Sequence, residues 1–250
     1  VTLSLNSLGK NGRLGNQMFQ YAALRGIAAH HSYDYSIPLK EIELYECFGI
    51  SPKEETINQT QVTHRGFEFD FELFETCPDN VDLFGYFQTE KYFSHIENII
   101  RQEFTFCDRI DKICSHYIQN KFPDQNIIAL HIRRGDYLTD PNFYSLDLDY
   151  YWNALVSLPM YSVIVFSDDV KWVSKVFGEK RFTISQTHNQ FLDLCLMSKC
   201  SHHIIANSSF SWWGAWLAKS KKVIAPKKWF AGDFSDWNTK DLYLPDWIVL

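Results

Sequence analysis

Ile127-Ile128-Ala129-Leu130-His131-Ile132-Arg133-Arg134-Gly135-Asp136-Tyr137 is the stretch from which the fold of this chain is read. It opens apolar and ends abruptly in charge. An apolar run of this length bounded by a turn signal predicts a buried strand, and Gly135-Asp136 supplies the turn. Side chains alternate along a strand, so His131 and Arg133 are expected on one face and Arg134 on the other. In open α/β sheets ligands bind beyond the carboxyl ends of the strands, where these residues fall. Two adjacent arginines there point to a phosphate, because a guanidinium stays charged and grips phosphate oxygens through two N–H groups. The plain alternative is a strand end with solvated arginines and a salt bridge to Asp136.

Downstream of this stretch the pattern alternates. Helices are expected near Leu148 to Leu158, Val170 to Phe177, Gln190 to Lys199 and through Trp212, Trp213, Trp216 and Leu217. Strands are expected at 162–166, 181–184, 202–206 and 223–226. Strands alternating with helices at this spacing mean βαβ units and a parallel sheet. Upstream, Pro123-Asp124-Gln125-Asn126 breaks the chain and sets the expected boundary between a domain at 1–122 and one at 123–250. Thr2 to Ser7 reads as a first strand, followed by the loop Gly9 to Gln17 and a helix over Met18 to His30. Strand, glycine loop and helix is the layout of a phosphate-binding turn, although the loop matches neither G-x-G-x-x-G nor a Walker motif and also fits a plain βα turn. Strands at 33–37 and 81–87 and helices at 91–104 and 106–122 complete the first half. Residues 38–80 show no sustained period and read as loop or irregular helix.

Composition limits the function classes. At 250 residues the chain suits one large domain or two small ones, and 46% hydrophobic with 22% charged residues describes a fully cored globular protein. A net charge of -6 argues against a general nucleic-acid binder, so an anionic ligand must be held by a local basic cluster. The six cysteines form no C-x-x-C pair and read as buried thiols of a reducing compartment. No apolar run approaches the roughly 20 residues of a membrane span, and no signal peptide is recognisable. The missing initiator Met leaves open that residues or an anchor have been removed.

Three groups fall at expected strand ends: His131/Arg133/Asp136, Ser167/Asp168/Asp169 and Asn207/Ser208/Ser209/Phe210. Asp168 can accept from the N–H edge of a guanine, and the hydroxyls and amides at 208–210 open a helix and can hold phosphate. Helix capping explains the same aspartates and serines equally well. The Trp212, Trp213, Trp216 stripe reads as core packing rather than a sugar platform.

Gly12-Arg13-Leu14-Gly15-Asn16-Gln17-Met18-Phe19-Gln20-Tyr21, the arginine box, Ser167-Asp168-Asp169 and Asn207-Ser208-Ser209-Phe210-Ser211-Trp212-Trp213-Gly214-Ala215-Trp216 resemble, in order, the motifs of the α-1,2-fucosyltransferases, and Ala225 to Phe230 fits the end of their catalytic domain. The resemblance implies an α/β fold of two Rossmann-like domains (GT-B type), with GDP-L-fucose bound by the second. It implies inversion at the anomeric carbon, an α-fucoside on the 2-hydroxyl of a galactose, and no metal or cofactor. By the same resemblance Arg133 holds the β-phosphate, His131 and Asp168 the guanine, and Ser208, Ser209 and Phe210 the diphosphate. Arg134 and Gly15 join the donor-binding set, and Asn16 and Asp136 join Arg133 in the catalytic set. Asn16 is expected across the cleft near the transferred sugar. The expected partners are the donor and a galactose-containing glycan, with the general base and oligomeric state left open. The expected location is cytoplasmic, at a membrane through the acceptor, or Golgi if an anchor has been removed. Competing readings are a non-catalytic GDP-sugar or glycan-binding module and a transferase for another GDP-sugar. A P-loop phosphotransferase lacks its G-K-[ST] signature here.

Overall fold

Three-residue strands joined by helices build the first half of the chain, as seen in a computed structural model that describes residues 1–53, 60–124 and 126–250. Residues 54–59, within the featureless stretch 38–80, and Gln125, within the expected break, lie outside the described residues. The chain divides into two compact units, Val1–Cys107 with Trp237–Leu244, and Asp108–Asp236 with Pro245–Leu250.

The first unit runs β1 (Thr2–Ser4), α1 (Leu14–His31), β2 (Asp34–Ser36), α2 (Glu43–Phe48), β3 (Gln61–Thr63), α3 (Phe71–Thr76), β4 (Asp82–Phe84) and α4 (Glu97–Glu103). Its four strands are parallel in the order β2-β1-β4-β3. The chain therefore turns one way from β1 to β2 and then returns to the other side. That places a topological switch point between β1 and β4, where crossovers diverge and leave a crevice. Helix α1 is buried along most of its length and stops at Ser32, which takes a left-handed φ of 56°. The helix expected over 91–104 is broken into 3₁₀ turns at Glu90–Tyr92 and Ser94–Ile96 before α4. The break follows from packing. Tyr92 and Phe93 are both fully buried, and a Cβ on Gly26 of α1 would lie 1.9 Å from the Tyr92 carbonyl oxygen.

The second unit runs α5 (Asp108–Lys121), β5 (Ile127–Ile132), α6 (Leu148–Val156), β6 (Ser162–Ser167), α7 (Val170–Val176), β7 (Phe182–Ile184), α8 (Gln190–Ser198), β8 (His202–Ile204), α9 (Ser209–Leu217), β9 (Lys222–Ala225) and β10 (Ile248–Val249). All pairings are parallel, in the order β10-β9-β8-β5-β6-β7. Numbered from β5, this is the 3-2-1-4-5-6 order of a dinucleotide-binding sheet, with its switch point between β5 and β8. Every residue of β5 is buried. Ile128, Leu130 and Ile132 pack with Val163, Val165, Leu155 and Val173 into one core. On α9, Trp212 and Trp213 are fully buried and Trp216 is 2% exposed, so the tryptophan stripe is core.

Two boundaries differ from the sequence reading. Helix α5, expected in the first domain, belongs to the second unit, because Lys199 Nζ reaches Asp111 at 2.7 Å and Cys114 Sγ donates to the Leu192 carbonyl at 3.5 Å. Segment 237–244 belongs to the first unit, through the ion pair of Asp241 with Lys91. The cysteines are free thiols, five of them buried.

Candidate active site

Loops leaving β8, β5 and β6 meet along one edge, because these strands are neighbours and point the same way. β5 ends at Ile132, one residue before Arg133, so strand alternation does not orient the arginines. Their partners do. Arg133 Nη2 lies 2.6 Å from Asp136 Oδ1 and Nη1 lies 2.9 Å from Asp168 Oδ2. Arg134 turns onto α7, its guanidinium 3.8 Å from the Trp172 ring centroid and its Nε 3.3 Å from Asp169 Oδ2. Arg133 is thus held at the mouth of the switch point, while Arg134 clamps a helix. Two of five guanidinium N–H groups on Arg133 serve these carboxylates, which leaves donors for an incoming oxyanion.

Both oxygens of Asp168 are engaged, since Oδ1 accepts from the Arg134 amide at 2.9 Å. Gly135 makes room for this arrangement: a Cβ there would lie 2.6 Å from Asp168 Oδ2. Asp169 caps α7 through the Trp172 amide at 3.0 Å. The adjacent aspartates therefore diverge. Among the described residues no group of three or more His, Cys, Asp or Glu is placed to hold a metal ion.

Across the switch point, Ser208 Oγ accepts from the Phe210 amide at 3.3 Å and caps α9. Ser208, Ser209 and Phe210 are half-buried at that helix start, where the positive end of the helix dipole favours an anion. Tyr137 ties the two sides together. Its hydroxyl donates to the Asn207 carbonyl at 3.0 Å, and Arg133 Cζ lies 5.4 Å from its ring centroid. His131 Nδ1 is 2.8 Å from Ser211 Oγ, and its ring centroid is 5.7 Å from that of Phe210. Burial, and then the charge of Arg133, lower the His131 pKa to about 3, so it is a neutral ring at physiological pH. Burial raises the pKa of Tyr137, which stays a neutral phenol.

Asp193, in the first turn of α8, accepts from Ser185 Oγ at 2.6 Å and Thr187 Oγ1 at 2.8 Å. Burial raises its pKa. Ser185 directly follows β7, so this carboxylate lies beyond the same edge of the sheet.

In the first unit, the loop after β1 and the loop after β4 flank the other switch point. Asn16 Oδ1 accepts from Gln88 Nε2 at 2.9 Å and bridges them. Gly15 is buried in the first turn of α1. Gly12 takes a φ of +89° with Asn16 folded against it, a backbone that a residue with a Cβ resists. Gln17 fastens α2, accepting from the Leu44 amide at 3.2 Å.

The model of Glycosyl transferase family 11 matches residues 3–250. The chain belongs to glycosyl transferase family 11, the α-1,2-fucosyltransferase family. Among relatives of this family-11 chain, the O-antigen biosynthesis glycosyltransferase WbnK of Escherichia coli is 37% identical over 185 residues, which is 67% of this chain and 60% of that protein. An α-1,2-colitosyltransferase of Escherichia coli is 28% identical over 268 residues, 88% of this chain and 90% of its own. A mouse galactoside 2-α-L-fucosyltransferase, Sec1, is 25% identical over 95% of this chain and 71% of its own. In fold, this family-11 chain is similar to the fucosyltransferase NodZ from Bradyrhizobium (TM-score 0.60, 12% identity, 89% of this chain and 94% of that one). It is likewise similar to POFUT1 in complex with GDP-fucose (TM-score 0.57, 12% identity, 88% and 94%). The fold is thus α/β with two parallel sheets, of the GT-B-like fucosyltransferase type. Among the described residues no helix of this family-11 chain is long and apolar enough to cross a membrane.

The structure gathers Arg133, Asp136, Asp168, His131, Ser208, Ser209 and Phe210 around one switch point and turns Arg134 away to α7. Tyr137, Ser211 and Asp193 were not singled out from the sequence. The first two lie inside the quoted motifs. Asp193 carries no local signal, because its hydroxyl partners come from a separate strand end.

Proposed function

We propose that this chain is an inverting transferase that moves L-fucose from GDP-β-L-fucose to the 2-hydroxyl of a galactose in a glycan, giving an α-1,2-fucoside. One observation carries the reading: a fixed arginine follows β5 and a capped helix start follows β8, the two strands that flank the switch point of a 3-2-1-4-5-6 sheet. Such a crevice suits a nucleoside diphosphate.

Cleavage of the sugar–phosphate bond leaves negative charge on the diphosphate and positive character on the sugar. Arg133 and the positive end of the α9 dipole serve the group that gains charge, so they bind the transition state more strongly than the ground state. Asp136 and Asp168 hold the guanidinium in place, so it need not reorganise during the reaction. Asp136, pinned to Arg133, acts here as a positioning residue rather than as the base. Because both oxygens of Asp168 serve the arginines, we assign the guanine N–H edge to Asp193, with His131 as a neutral neighbour of the donor. Gly15 and Asn16 are assigned to the transferred sugar.

The match to a colitosyltransferase over 88% of the chain favours one second reading, a transferase for another GDP-linked deoxysugar. A donor screen on galactosides, read by mass spectrometry, separates the two. Fucosyl transfer exceeding colitosyl transfer in kcat/KM supports the proposal. A preference for GDP-colitose, or GDP binding without transfer to any galactoside, overturns it.

A further inference from the structure

The loops leaving β3 and β4 put aromatic rings side by side at the carboxyl edge of the first sheet. Thr63 and Phe84 are paired in register, so the loops at 64–69 and 85–88 leave together. Gly66 takes a φ of +97° with nothing within 4 Å of where a Cβ would stand. The chain turns there and delivers Phe67. Its ring stacks on Tyr86 (centroids 5.8 Å, planes 15° apart) and packs on Trp237 (4.9 Å, 43°). Phe67 is buried, whereas Tyr86 and Trp237 are each 36% exposed.

The platform is rigid. Asp241 Oδ2 accepts from the Phe69 amide at 2.9 Å while Oδ1 holds Lys91 Nζ at 2.5 Å. Its rim is polar, because the Glu68 carboxylate accepts from the Asn238 amide and lies 3.7 Å from Lys240 Nζ. Flat aromatic faces with hydrogen-bonding groups at the margin suit a pyranose, which offers C–H groups on one face and hydroxyls around the rim. A preformed surface also loses little entropy on binding. Tyr86 stands two residues before Gln88, the partner of Asn16, so the platform lies beside the loop assigned to the transferred sugar.

We propose that Tyr86 and Trp237, backed by Phe67, form the stacking subsite for the galactose-containing acceptor, with Glu68 and Asn238 meeting its hydroxyls. This rests on the transferase reading above. It makes Tyr86 and Trp237 determinants of acceptor specificity, contributed by two separate parts of the chain.

The test uses Tyr86→Ala, Trp237→Ala and Trp237→Phe in the full chain. Saturation-transfer NMR with lactose and N-acetyllactosamine reads acceptor binding without turnover, and steady-state kinetics with GDP-fucose reads KM. The alanine variants are expected to lose the galactoside signal and to raise acceptor KM at least about tenfold. Trp237→Phe should retain much of both, and GDP affinity by calorimetry should stay within twofold throughout. Galactoside binding to the parent chain that disappears in the alanine variants supports the platform even if no fucose is transferred, in which case the transferase reading alone falls. Folded alanine variants with unchanged galactoside signal and KM overturn the platform and leave the transferase reading standing. A parent chain that binds neither galactoside overturns it as well.

Discussion

At the scale of single residues, the two neighbouring arginines have separate duties. Arg133 faces the switch point between two carboxylates, and Arg134 lies on Trp172. Arg133→Ala is expected to cut turnover with GDP-fucose by at least about 100-fold. Arg133→Lys should also be poor, since an ammonium keeps the charge but loses the planar fork. Arg134→Ala should act mainly on melting temperature. Greater damage to kcat from Arg134→Ala than from Arg133→Ala would reverse the assignment. A second pair separates positioning from recognition. Asp168→Ala releases Arg133 and is expected to lower kcat while preserving selectivity for GDP over other nucleoside diphosphates. Asp193→Asn removes an acceptor that the guanine edge needs, and should weaken GDP binding by roughly 1–3 kcal/mol in calorimetry. Lost selectivity in the Asp168 variant, with normal GDP affinity in the Asp193 variant, would return the guanine to Asp168.

Among elements, strands flanked by strong turns were readable and packed turns were not. The run Ile127 to Ile132 is apolar at every position but His131 and ends in charge, and it forms a strand buried throughout. The stretch 38–80 hid α2, β3 and α3 because six-residue helices and a three-residue strand are shorter than one readable period. The break in the helix expected over 91–104 was equally hidden, since its cause is a neighbour 66 positions away in sequence: Gly26, lying against Tyr92. Gly26→Ala tests that cause. A methyl group there meets backbone, which cannot swing aside, so destabilisation of about 1–3 kcal/mol is expected in urea unfolding despite the better helix propensity of alanine. A gain in stability would mean that α1 and the turn can separate freely. At the site, motif spacing located the arginine box and the serine cap. It did not reveal that Asp168 is shared between two arginines, because that depends on the closeness of β5 and β6.

Considered as a whole, the molecule carries four buried histidines, His64, His131, His202 and His203, whose pKa burial lowers. Burial, followed by the Arg133 charge, holds His131 at about 3. Burial holds His203 at about 4, even though its Nε2 lies 2.9 Å from the Met197 carbonyl. An unfolded imidazole takes up its proton near 6.5. Between these limits the unfolded chain binds more protons, so stability falls as pH drops from about 6.5 toward 4, by up to about 1.4 kcal/mol per pH unit for each histidine. Urea midpoints measured across that range should fall steadily, and should fall less steeply in a folded His203→Asn variant. The molecule carries a nucleotide-type sheet and a second parallel sheet, and the central claim is that this chain forms an α-1,2-fucoside. Incubating the chain with GDP-β-L-fucose and lactose in the presence of a chelator, and assigning the product by NMR, tests this claim most directly. The account predicts a trisaccharide with α-linked fucose on the galactose 2-hydroxyl, formed without added metal. Fucose on another hydroxyl, a β-linkage, or turnover only after Mn²⁺ or Mg²⁺ is supplied would contradict it.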